Sequence, residues 1–132
     1  MQIVRLHSDA NGDSHFEDAE IELDLTDYAP PAPPLYLSPA TPANAFAFMK
    51  APAGWSSDWH PSSARNLFFV LSGEWQVTAS DGESRRFGVG SVLLVEDTTG
   101  KGHSSSVVSD TDSLAAMVQL ERADVLKSVP LA

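Results

Sequence analysis

Cysteine is absent from the 132-residue chain, which removes disulfides, thiolate metal sites and thiol catalysis and leaves the redox compartment unmarked. Basic residues are scarce: 8 Lys and Arg stand against 18 Asp and Glu, for a formal net charge of −10. A surface of that sign repels phosphate backbones, so no nucleic-acid partner is expected. No apolar run approaches the roughly 20 residues that span a bilayer, so no membrane partner is expected either. The opening stretch "MQIVRLHSDANGD" lacks the apolar centre of a secretory signal. A cytoplasmic protein is the expectation. What is present, 42% apolar and 20% charged residues, is ordinary for a soluble globular chain, and the length suits one domain with its own core.

The charge is uneven. From Ser8 to Asp27 there are eight Asp or Glu residues and no Lys or Arg, which reads as a solvated surface strand and loop. Within this region "IELDL", Ile21 to Leu25, alternates as a strand should, with Ile21, Leu23 and Leu25 on one face. The following stretch, Asp27 to Pro42, holds six prolines in sixteen residues. Proline density of that order forbids a helix or a central strand and predicts an extended arm draped over the domain.

From Ala45 onward short strands alternate with turn signals. "AFAFM" and "EWQVTA" alternate, "LFFVL" and "GSVLLV" read as buried strands, and "SDGES" supplies an Asp-Gly hairpin turn. "SLAAMVQL" is compatible with a strand or a short helix, and the tail "RADVLKSVPLA" with a short C-terminal helix. The expectation is an all-β sandwich or barrel. It forms a single domain over residues 1–132, with N-terminal strands and a proline-rich arm in 1–44 and the barrel proper in 45–120.

Of the four histidines, His7 and His15 lie in the acidic region and read as locally hydrogen-bonded surface groups. His60 and His103 differ. In an extended segment Asp58, His60 and Ser62 point one way and Trp55, Ser57 and Trp59 the other. A hairpin then brings Asp58, His60, Ser62 and Asn66 toward one pocket. His103 follows the Gly-rich loop "TTGKG", and a neighbouring strand can present it beside His60. Two converging imidazoles make half of a metal site, since neutral nitrogen donors suit Fe, Ni, Zn and Cu alike. A Ser62–His103–Asp97 triad can be assembled on paper, but no Gly-x-Ser-x-Gly elbow exists. Trp75, alternating with Val77, reads as core. Trp55 and Trp59 read as aromatic platforms or as covers at a contact between copies.

These residues resemble the motifs of the cupin superfamily of small jelly-roll barrels. Gly54, five residues and His60 match the start of the first cupin motif, and Gly73 after "FFVLSG" matches its end. Gly90 and His103 resemble positions of the second motif, across a longer loop. The similarity runs from about Phe46 to Leu120. It implies a cupin-type β-barrel and a homodimer. The departures matter as much: the second His of the family's His-x-His falls on Ser62, and its Glu on Asn66. Where the family's metal takes three His and one Glu, only His60 and His103 remain here. The expected function is therefore a pocket for a small polar or sugar-like ligand, lined by His60, Ser62, Asn66, His103 and Trp59, with a divalent metal (Fe, Ni or Zn) held weakly or not at all. The alternative is a metal-dependent oxygenase, isomerase or decarboxylase in which Asp58, or secondarily Glu96 or Asp97, joins His60 and His103.

Overall fold

A computed structural model describes residues 1–121 and 129–130. The described chain is all-β. Its strands are β1 (Gln2–Ser8), β2 (Ser14–Glu20), β3 (Asp24–Thr26), β4 (Leu35–Leu37), β5 (Ala43–Ala51), β6 (Asn66–Ser72), β7 (Trp75–Ala79), β8 (Ser84–Phe87), β9 (Val92–Glu96), β10 (His103–Val107), β11 (Ser113–Leu120) and β12 (Val129–Pro130). Seven of them form one sheet in the order β12-β2-β1-β9-β6-β11-β5, and β10-β7-β8 form a second. Pairing in the large sheet is antiparallel except between β1 and β9, which run parallel.

The two sheets face each other because their inward side chains are apolar. Leu6, Phe16, Val70 and Leu93 from the large sheet meet Trp75, Val77, Ala79, Phe87 and Val107 from the small one in a single buried cluster. β7 shows the cleanest alternation, with Trp75, Val77 and Ala79 buried. Trp75 sits in the core as expected; its indole N–H donates to Ser113 Oγ at 2.6 Å, so burial leaves its polar end satisfied. Ile3, Ala19, Ile21, Leu94 and Leu120 form a second buried cluster. The result is an all-β barrel of two facing sheets, packed around the first cluster.

Several local expectations change. "SLAAMVQL" is strand β11, paired on both sides. The strand expected over Ile21–Leu25 is confined to Asp24–Thr26; Ile21 is buried while Leu25 is 62% exposed. Here the alternation was genuine but the chain had already left the barrel. Among the described residues β3 and β4 pair only with each other, as a hairpin, and Tyr28 and every residue from Leu35 to Leu37 are exposed. The proline-rich arm thus stands away from the domain and is not draped over it. β2 and β10 carry almost no apolar alternation, and their pairing comes instead from polar side chains and backbone. The short C-terminal helix expected in the tail, residues 122–132, lies outside the described residues except at Val129–Pro130, which form β12.

Candidate functional site

His60 and His103 come together at the open end of the barrel. Their backbones pair in both directions, His60 N–H to the His103 carbonyl and the reverse, each at 3.0 Å. The rings lie 4.9 Å apart between centroids. This approach depends on Gly102. A Cβ there would sit 2.0 Å from the His60 carbonyl oxygen, and the residue has φ of +73°, a region open to glycine and costly for other residues. The loop before it is fixed from behind, where the fully buried Ser14 donates its hydroxyl to the Gly102 carbonyl at 2.7 Å.

Each imidazole has its Nδ1 committed. His103 Nδ1 lies 2.5 Å from Oδ2 of Asp97, a carboxylate with no exposed surface. His60 Nδ1 lies 2.9 Å from the Asp58 carbonyl, which can only accept, so this nitrogen is the donor. With both Nδ1 atoms acting as donors, neutral rings keep a lone pair on Nε2. Asp97 also anchors the turn after His60, since Ser62 N–H donates to the Asp97 carbonyl at 2.9 Å. Its Oδ1 is buried without a hydrogen-bond partner among the described residues.

The histidines open onto a cavity of about 290 Å³. Its floor is apolar, from Phe68, Trp75, Val77, Leu93 and Val95, and its polar groups are His60, Ser62, Ser63, Asn66, His103 and Ser105. Asn66 is buried; its Nδ2 is 3.4 Å from Ser62 Oγ, which itself donates to the Ala64 carbonyl at 2.6 Å. The structure thus gathers His60, Ser62, Asn66 and His103 in one place. Trp59 is not among the cavity-lining residues and borders a separate depression with Ser80 and Lys101. Trp55 lines the cavity instead, packed edge-on to Trp75 at 5.6 Å.

The exchange of tryptophans has a structural cause. Ser56 pairs with Ser106 and His60 with His103, so four residue steps on one strand oppose three on the other. One extra residue, a bulge, breaks the alternation between them. Side-chain parity counted along the sequence slips there, which also separates Asp58 from the cavity. Asp58 contributes its carbonyl to His60, and its side chain is exposed and does not line the cavity. Glu96 is ion-paired to Arg5 and Arg65 and does not line it either. The residue that sequence parity ranked behind Asp58, Asp97, is the one that meets a histidine. Its signal was the spacing "DTTGKGH": a loop with two left-handed glycines, Gly100 and Gly102, that turns the chain back on itself.

A metal of the kind implied by the family needs three or four ligands. Here two nitrogen donors are available, Asp97 Oδ2 is occupied by His103 Nδ1, and among the described residues no group of three or more His, Asp or Glu side chains is placed to hold an ion. The residues present do not fit such a centre.

The remaining histidines belong to another part of the same barrel end. His15 lies between Asp9, at 2.6 Å from its Nε2, and Asp81, at 3.0 Å from its Nδ1, with the His7 ring 5.9 Å away. The hydrogen bond that His15 donates to Asp9, reinforced by Asp81 against some desolvation, holds the His15 imidazole above its ordinary value. Asp9 is held below the usual carboxylate range by His15 and by the backbone N–H of Asp13.

No protein-family model matches the chain, and no curated protein is significantly similar to it in sequence. Solved structures are similar in shape. A predicted oxalate decarboxylase from Thermotoga maritima is 19% identical, with 89% of this chain and 92% of that one covered and a TM-score of 0.47. A protein from Neisseria meningitidis is 22% identical over 58% of this chain and 72% of its own, with a TM-score of 0.43. A conserved protein of unknown function from Streptococcus pyogenes is 17% identical, with a TM-score of 0.45; the match covers 59% of this chain and 65% of that one. Identities this low carry no information about activity.

Proposed function

We propose that this cupin-type barrel binds a small, hydroxyl-rich ligand in the cavity beside His60 and His103. The observation that carries the reading is the shared commitment of both Nδ1 atoms, to the Asp58 carbonyl and the Asp97 carboxylate. Two neighbouring Nε2 acceptors then suit a ligand with two adjacent donors, such as the vicinal hydroxyls of a polyol or sugar. Asn66 and Ser105 add polar partners, and the aromatic walls from Trp55 and Phe68 suit the apolar face of a sugar ring. A few fixed polar groups on an apolar floor is the usual composition of a small-molecule site.

The test is a panel of sugars and polyols screened by thermal shift and then by calorimetry, with elemental analysis of the same protein purified without a His-tag or chelator. A hydroxylated ligand whose affinity falls at least about tenfold in both His60→Ala and His103→Ala supports the reading. Near-stoichiometric Fe, Ni or Zn that disappears in both variants overturns it and favours the metal-dependent alternative.

A further inference from the structure

The cavity beside the histidines is lined by bases and by no charged side chain. His60 and His103 stand on its wall, and among the described residues no Asp, Glu, Lys or Arg lines it, in a chain with 18 acidic residues. Both imidazoles present Nε2 as an acceptor, because each Nδ1 donates elsewhere. Much of the remaining wall, including Met49, Phe68, Leu93 and Met117, is apolar, which limits competition from water for a proton.

The two bases are not equivalent. His60 Nδ1 faces a neutral group, the Asp58 carbonyl, at 2.9 Å. His103 Nδ1 faces a carboxylate, Asp97 Oδ2, at 2.5 Å. Asp97 has no exposed surface, and its Oδ1 has no hydrogen-bond partner among the described residues. A buried carboxylate with one unanswered oxygen is costly to folding. An amide in its place would accept the same hydrogen bond at a lower desolvation cost. What the charge alone supplies is compensation for the positive charge that His103 gains when Nε2 takes a proton. Asp97 and His103 thus have the make-up of a general base with its orienting carboxylate. Asn66 adds an amide donor on the same wall, buried and with Nδ2 3.4 Å from Ser62 Oγ.

We infer that this site interconverts an α-hydroxy aldehyde and the isomeric hydroxy ketone, the open-chain forms of a small sugar, by proton transfer between the two imidazoles and the substrate. The inference rests on the pocket reading above and adds a reaction to it. His103 Nε2 takes the proton from the hydroxyl-bearing carbon. The C–H electron pair becomes the C=C bond of an enediolate, and the carbonyl π pair moves onto its oxygen, where the Asn66 N–H stabilises the charge. His60 Nε2 takes the proton of the neighbouring hydroxyl and returns it to the former carbonyl oxygen. The newly bared oxygen then closes a C=O bond, and the C=C pair takes the first proton back from His103 at the adjacent carbon. Both imidazoles end as they began, and no electron or co-substrate is consumed. His60 and His103 are catalytic residues in this scheme, and Asp97 is a positioning residue that acts through His103.

The experiment follows glyceraldehyde, xylose and glucose with the full chain in deuterium oxide by NMR, with and without chelator, after calorimetry has shown which of these probes binds. For a bound probe the expected result is deuterium at the hydroxyl-bearing carbon and conversion to the ketose, neither changed by chelator. His103→Gln lowers both by roughly a hundredfold or more, the usual contribution of a positioned base. His60→Gln spares deuterium incorporation and lowers conversion, because the carbon base remains and the hydroxyl shuttle is gone. Asp97→Asn lowers kcat for incorporation by about the same hundredfold, beyond any rise in KM; a residue that merely held the loop would not give that split. The glutamine variants keep the frame of the mouth, since backbone bonds make the His60–His103 bridge. Binding without deuterium incorporation overturns the inference and leaves the pocket reading standing. Incorporation that survives His103→Gln overturns it too, as does incorporation that chelator abolishes and Fe, Ni or Zn restores. If none of the probes binds, the pocket reading fails and the inference fails with it.

Discussion

The barrel mouth around His103 and the segment from Glu22 to Phe48 differ in where their groups find partners. At the mouth, most buried polar groups are answered within the chain, Asp97 Oδ1 excepted: Ser14 donates to Gly102, Ser62 N–H to the Asp97 carbonyl, and His103 pairs with Asp97 Oδ2. In the arm and β5, apolar side chains as large as Tyr36 and Phe46 stay exposed, and one full backbone edge is unpaired among the described residues. Both regions depart from a pattern of apolar inside and polar outside, in opposite directions. A buried polar network is kept when it fixes the geometry of a site. An exposed apolar edge is kept when something docks on it. Substitutions should therefore cost folding stability in the first region and association in the second.

The largest effect is expected at Gly102. Gly102→Ala forces a Cβ to within 2.0 Å of the His60 carbonyl, at a φ of +73°. Strained backbone and collision with main chain together predict a loss of at least about 3 kcal/mol in chemical unfolding, with loss of any ligand affinity. A cost below about 1 kcal/mol would mean that the His60–His103 bridge is not the fixed point of the mouth.

Asp97→Asn comes next. It preserves shape but replaces a charge-assisted hydrogen bond to His103 with a neutral one, and a loss of about 1.5 to 3 kcal/mol is expected. The more telling readout is the pocket. An amide in place of the carboxylate would hold His103 in no fixed tautomer, so the affinity for a hydroxylated ligand should fall while that of a purely apolar probe is kept. Equal loss of both would reduce Asp97 to a structural residue.

In the other region, Leu25→Ser and Tyr36→Ser remove exposed apolar surface and should change monomer stability by no more than about 0.5 kcal/mol. A cost above about 1 kcal/mol in a monomeric background, by the same unfolding measurement, would show that the arm packs on its own barrel after all.

The same contrast decides what was legible in the sequence. Where apolar residues alternate against a single core, as in Trp75, Val77 and Ala79, strand, face and burial were all readable. The convergence of His60 with His103 was readable too, through turn signals and the family resemblance. Polar strands were not: "HSSSV" is held by backbone pairing and by Ser57 hydroxyl contacts to Ser105, which leave no hydrophobic period behind. Parity failed between Ser56 and His60 because a one-residue bulge has no composition of its own: it set Trp55 on the face away from His60 and Asp58 on the same face, whereas Trp55 lines the cavity and Asp58 does not. The arm misled in a third way. Its alternation at Ile21, Leu23 and Leu25 looks like core packing, yet only Ile21 of the three is buried.

The smallest effect expected is a pH signature at the rim of the mouth, where His15 joins Asp9 and Asp81. His15 is raised from an ordinary value of 6.5, so its contribution to stability is fully present below that pH and is lost as pH rises through the folded-state value. Asp9 is lowered from an ordinary 3.8. Its contribution is present above that value and is lost as pH falls through the folded-state one. The cluster should therefore help most between about pH 4 and pH 6.5, the interval in which both charges exist in either state. The groups are largely solvated, so the gain is small and salt-sensitive. The difference in unfolding midpoint between wild type and His15→Gln, followed from about pH 3 to pH 9, should rise to a plateau in that interval and decline on both sides. Leu25→Ser should give a difference that is flat across the same range, because no titrating group answers to the arm's apolar surface. A His15→Gln difference that is equally flat would make the contacts to Asp9 and Asp81 shape without electrostatic consequence, and would narrow the mouth's internal network to Ser14, Gly102, Asp97 and His103.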